Sequence, residues 1–125
     1  MKIKVIGLFL LLSMMSAVSS AAGYVIKVRI IGLGSDTCYL GGYYGQYNQV
    51  NDTVISNARG EMTFTGPDAL PGGIYFIIHN KTRLFEFVID KEQNISFETD
   101  TVDYVGHMKI SGSRQNSDFY DYLLY

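Results

Sequence analysis

The chain has 125 residues, 47% of them apolar and 18% charged, which suits one packed domain and is too apolar for a disordered chain. A formal net charge of −2 with no basic block offers nucleic acid no footprint, and a single cysteine excludes an intrachain disulfide framework, a multi-cysteine zinc site and a CxxC redox pair. Ten Tyr and seven Phe, with no Trp, lean towards β structure.

The first 22 residues read as a secretory signal peptide. Lys2 and Lys4 supply a positive start, Val5 to Val18 is an uncharged apolar run, and Ala17, Ser19, Ser20, Ala21 and Ala22 form a small-residue end. The run is too short for a spanning helix. Cleavage is expected after Ala22, with Ser19 and Ala21 as alternatives. No cysteine stands at the end of the run to carry a lipid, so no membrane attachment is expected after cleavage. Loss of the two lysines leaves 103 residues of net charge −4. The segment predicts an exported protein.

Residues 23–112 read as one β-sandwich domain. Tyr24 to Ile31 alternates, with Ile26, Val28 and Ile30 on one face and Lys27 and Arg29 on the other, which predicts a half-buried strand. Gly32 to Asp36 turns the chain, and Thr37 to Tyr44 is a second strand weakened by Gly41 and Gly42. Gly45 to Asn51 is expected to be a loop or distorted edge. Asp52 to Asn57 and Glu61 to Thr65 read as a hairpin about Ala58-Arg59-Gly60, where Gly60 can take a positive φ. Ile74 to Ile78 is a strongly apolar, central strand. Leu84 to Ile89 turns Phe85, Phe87 and Ile89 inward, and Asn94 to Thr99 does so with Ile95 and Phe97. Val105 to Ser111 is a last strand with Met108 and Ile110 inward. Eight short strands at this spacing predict an all-β, antiparallel β-sandwich, in which Phe64, Phe76, Phe87 and Phe97 share one core.

Residues 113–125 change period. Ser113 or Ser117 can cap a short helix, or the start of one, on which Phe119, Tyr122 and Leu123 share the packed face. So short a helix is expected to dock weakly and fray.

Few residues carry chemistry. Cys38 is a free thiol beside Asp36 inside a strand, expected to be buried rather than reactive. His79 and His107 form no HxH or HxxxH pair, so no metal is expected. No GxSxG elbow, GxGxxG or P-loop occurs, and no cofactor is expected. Tyr39, Tyr43, Tyr44 and Tyr47, interleaved with Gly41, Gly42 and Gly45, are a candidate binding surface for a sugar or a protein, although aromatic strand packing, with the glycines relieving crowding, is the favoured account. Asp52-Thr53-Val54 and Asp100-Thr101-Val102 are identical tripeptides resembling an O-glycosylation signal of exported proteins in some gram-negative anaerobes, which implies Thr53 and Thr101 as acceptors; Asp at a turn followed by a strand accounts for them as well.

The run from Val28 to Tyr122 resembles a family of domains of unknown function that precede thioredoxin-like domains in exported Bacteroides-type proteins labelled thiol:disulfide interchange or TlpA-like. The matching residues are Ile31-Gly32-Leu33 with Asp36, Tyr39-Leu40-Gly41, Asn51-Asp52-Thr53, Arg59 to Gly66, Leu70 to Tyr75, Phe85 to Asp90, Phe97 to Asp100, and Ile110 to Ser113 with Asn116 and Phe119. The resemblance implies a non-catalytic accessory module whose partner is a thioredoxin-like domain, in the same chain in relatives, or another exported protein. In the family the redox CxxC lies in the following domain. Cys38 matches neither of its cysteines, so no enzymatic activity is carried over, and the chain reads as the module truncated before its redox domain. The alternative is a free-standing surface module that binds carbohydrate or protein.

Overall fold

The computed structural model describes residues 23–44 and 47–124, without the side chains of 44 and 47–49; the signal-peptide reading of 1–22 lies outside the described residues. Eight strands and one helix follow in chain order: β1 (Tyr24–Ile31), β2 (Thr37–Tyr44), β3 (Tyr47–Ile55), β4 (Glu61–Gly66), β5 (Gly73–His79), β6 (Thr82–Ile89), β7 (Asn94–Asp100), β8 (Lys109–Ser111) and α1 (Arg114–Leu124). They form two four-stranded sheets, ordered β4-β1-β7-β8 and β3-β2-β5-β6. Every neighbouring pair is antiparallel except β1 with β7, which run parallel.

The sandwich forms because each sheet has one apolar face to remove from water. Ile26, Val28 and Ile30 of β1, Met62 and Phe64 of β4, and Ile95 and Phe97 of β7 meet Cys38, Leu40, Tyr75, Ile77, Phe85, Phe87 and Ile89 of the other sheet in one buried cluster. The Phe87 and Phe97 rings join the two layers, with centroids 4.8 Å apart. Positive φ at Gly60 (73°) and the close approach of the Ile30 carbonyl explain glycine there, since a side chain would run into that oxygen.

The structure departs from the sequence expectations at several elements. The stretches 52–57 and 61–65 do not pair as a hairpin: β3 pairs with β2 and β4 with β1, so the turn at 58–60 carries the chain from one sheet to the other. Asn57 secures that turn, its Oδ1 accepting the amides of Arg59 and Glu61. Of the two readings of Gly45 to Asn51, the distorted edge holds from Tyr47 onward: β3 is the outer strand of its sheet, and its ladder with β2 shifts register between Leu40 and Gly41. The last strand shrinks to Lys109–Ser111, since residues 101–107 turn, anchored by the Asp100 carboxylate accepting the amides of Val102 and Asp103. Phe76 is buried but not in the shared core: it occupies the outward register of β5, opposite Gly41 and Glu86.

The packed face of α1 also differs from the expected one. Its seated residues are Asn116 and Tyr120, with Phe119 half-buried, whereas Tyr122 is 78% exposed and Leu123 is exposed as well. The reason is the unpaired edge of β6. Asn116 accepts from the Val88 amide (2.7 Å) and donates to the Val88 carbonyl (2.7 Å), and the Tyr120 hydroxyl donates to the Glu86 carbonyl (2.6 Å). A strand edge demands hydrogen bonds before apolar cover. Ser113 is the cap, its Oγ accepting the Asn116 amide at 3.1 Å. At the opposite side of the sandwich Asp52 of β3 bridges to β4 by accepting the Thr65 amide, and it also accepts from the Tyr24 hydroxyl.

Candidate functional site

The outer face of the β3-β2-β5-β6 sheet holds the tyrosine region. Alternation sends Tyr39, Gly41 and Tyr43 of β2 outward, against Ile78 and Phe76 of β5. Glycine at 41 has a reason: the Phe76 ring lies across it, where any side chain would clash. Tyr43 meets Phe76 edge-on, with centroids 5.1 Å apart. The Arg83 guanidinium covers both rings, 4.4 Å from the Phe76 centroid and 4.9 Å from that of Tyr43. Arg83 also donates to the Tyr43 hydroxyl and lies 3.9 Å from a Glu86 carboxylate oxygen. The result is a pre-set aromatic–guanidinium platform, with exposed Val50 opposite Gly41 and exposed Ile74 two residues before Phe76 on β5. Tyr39 is half-buried on the same face and Tyr43 is 37% exposed. The side chains of Tyr44 and Tyr47, which are register partners at the end of the β2–β3 ladder, lie outside the described residues.

Sequence reasoning missed Phe76, Arg83 and Glu86 as members of this face. The available signal was Gly41, an outward strand position with no side chain, which implies that a neighbour fills the space.

The outer face of the β4-β1-β7-β8 sheet has different chemistry. The register places Glu61, Arg29, Glu98 and Lys109 side by side across the four strands, a row of alternating charge. Arg29 and Glu98 approach to 4.0 Å. One step along, Thr63, Lys27, Ser96 and Ser111 form a second row, three hydroxyls about one ammonium. Both rows line a groove of ≈ 410 Å³, and a second hollow of ≈ 400 Å³ shares Glu98 and Lys109 with it.

Cys38 is fully buried, and burial first, then the Asp36 charge, pushes its thiol up to about 11, far from the thiolate that exchange chemistry needs. Each histidine pairs with an aspartate: His79 with Asp36 at 2.9 Å, and His107 with Asp100 at 2.7 Å. His107 sits in the turn before β8 rather than on a strand face. The His79 hydrogen bond, followed by the Thr37 amide, holds Asp36 below the usual carboxylate range. For Asp100 the Asp103 amide comes first and His107 after it. Among the described residues no group of three or more His, Cys, Asp or Glu could hold a metal. Thr53 and Thr101 are both exposed, on β3 and in the turn after β7, with the neighbouring aspartates engaged by backbone amides. Among the described residues no helix is long and apolar enough to cross a membrane.

A family model described as a domain of unknown function (DUF4369) matches residues 24–119. No curated protein and no solved structure matches the chain.

Proposed function

This chain belongs to the family of domains of unknown function DUF4369, and from that membership we propose a non-catalytic accessory module of an exported protein of the thiol:disulfide-interchange type, located in the periplasm or cell envelope, that docks a protein partner on the outer face of β3-β2-β5-β6. The partner is a thioredoxin-like domain or another exported protein. The observation that carries this reading is the Arg83 platform. An arginine held over Tyr43 and Phe76 loses little freedom on binding, and such aromatic and arginine anchors dominate protein interfaces. Arg83 covers one face of the Tyr43 ring, which favours a protein surface over a stacked sugar. The absence of catalysis is supported by the sealed Cys38 thiol, since dithiol exchange needs an accessible attacking thiolate and a resolving partner.

Calorimetry of the 23–125 chain against an exported thioredoxin-like domain tests the docking. Binding is expected, and Arg83→Ala should cost about 2 kcal/mol, the scale of an interface hot spot. Absence of binding, or equal affinity of the Arg83→Ala variant, refutes the docking face. Insulin-disulfide reduction by the chain alone, abolished in Cys38→Ser, refutes the non-catalytic part.

A further inference from the structure

We infer that the groove on the outer face of β4-β1-β7-β8 is a binding site for a carboxylated oligosaccharide, with Lys27 as its carboxylate contact. In the row Glu61, Arg29, Glu98, Lys109 each carboxylate stands directly opposite a cation, so the row is neutral within itself. Lys27 has no such partner: its neighbours across the strands are Thr63 and Ser96, and no ion pair to it occurs among the described residues. The nearest carboxylates in the sheet, Glu61 and Glu98, are diagonal to it, about 7–8 Å away in such a lattice, and each faces Arg29 directly. The hollow of ≈ 410 Å³ therefore carries one uncompensated positive charge in a protein that is negative overall, whereas the second hollow adds the Asp100–His107 pair and no free cation among the described residues.

The rest of the lining sets the class of ligand. Thr63, Ser96 and Ser111 flank Lys27 with hydroxyls that both donate and accept, the complement of a polyhydroxyl compound. A peptide is read along a sheet edge by main-chain hydrogen bonds, with alternate side chains in apolar pockets. This groove crosses the face of the sheet, where the main-chain groups of the central strands are already paired. The two hollows share Glu98 and Lys109, so the groove is long enough in one direction for more than one ring, and together they fall within the usual range of ligand sites. The site lies on the sheet opposite to the Arg83 platform, and its occupancy does not depend on the docking reading.

Amide chemical-shift mapping of the 23–125 chain with trigalacturonate at low salt tests the assignment. Shifts are expected at Lys27, Thr63, Ser96 and Ser111. Lys27→Ala, at an exposed position, should weaken binding about tenfold, the loss of one charge-assisted contact. Lys91→Ala, in the turn between β6 and β7, should leave it unchanged. The methyl ester of the sugar should bind at least about tenfold more weakly by the same reasoning. The inference is overturned by no shift at about 10 mM sugar, where even a millimolar site fills. It is also overturned by shifts centred on Tyr43 and Arg83, by undiminished binding of the ester or of Lys27→Ala, or by a triglutamate peptide binding as tightly.

Discussion

On the β4-β1-β7-β8 sheet the outward residues are the ones alternation prescribes: Lys27, Arg29, Glu61, Thr63, Glu98 and Lys109 face solvent, and Glu61, Arg29, Glu98 and Lys109 alternate in charge across the strands. On the β3-β2-β5-β6 sheet an outward position is taken by Phe76, which is only 2% exposed. The difference lies in two neighbours. Gly41 leaves a floor without a side chain for the ring to lie on, and Arg83, an exposed residue, closes over it with its guanidinium while keeping its polar edge wet. Strand alternation assigns a side, whereas burial is decided by what the adjacent strands leave open. One face thus has a sealed aromatic centre, whereas the other is polar and solvated.

Both faces rest on one core. Phe87→Ala, between the sheets, should cost about 3–5 kcal/mol in chemical denaturation, a large share of the stability of a domain this size. Phe76→Ala should cost about 2–3 kcal/mol, below the full core range because Arg83 can relax and water can enter from outside. A loss under about 1 kcal/mol would mean that the outward face is not sealed and that the two faces are alike. Asn116→Ala should cost about 2 kcal/mol, since it leaves the Val88 amide and carbonyl unpaired at the β6 edge. Faster hydrogen exchange at Val88, with no change at Ile77, would mark that edge as the place of loss.

Smaller effects sharpen the contrast. Glu98→Gln on the charged face should change stability by no more than about 1 kcal/mol, because exposed ion pairs contribute little. A change several times larger would show the charge row to be a structural element rather than a solvated one. The smallest effects belong to the Asp–His pairs at the sheet ends. Asp36 and Asp100 both titrate below the ordinary 3.8, so their contribution is present above that value and is lost as pH falls through the lower folded value. Because the histidine is the leading cause only for Asp36, His79→Ala should raise the Asp36 titration midpoint further than His107→Ala raises that of Asp100, measured by carboxyl NMR. The reverse order would contradict the assigned hydrogen bonds.

The inward strand positions were legible because period-two alternation in Tyr24–Ile31, Glu61–Thr65 and Leu84–Ile89 is a local pattern that needs no partner to be read. Cys38 could also be placed as buried from its strand. Arg83 could not be assigned to the tyrosine face, because it is 40 residues from Tyr43 in sequence and meets it only through the β2–β5–β6 pairing. The packed face of α1 was misread for a related reason. Apolar spacing favours Phe119, Tyr122 and Leu123, but the surface awaiting the helix is a strand edge with unpaired carbonyl and amide groups, and Asn116 and Tyr120 can satisfy it.

The sequence by itself determined the fold class, the inward positions of most strands, the turn at Gly60 and that a serine caps the helix, since each rests on backbone preference or on the period of apolar residues. Tertiary structure alone decided that β3 and β4 part into different sheets, that β1 and β7 run parallel, and that Glu61, Arg29, Glu98 and Lys109 line up in one row. Those are statements about register between strands distant in the chain. Register is set by the simultaneous packing of both sheets, in which a shift of one residue would turn each buried face to water.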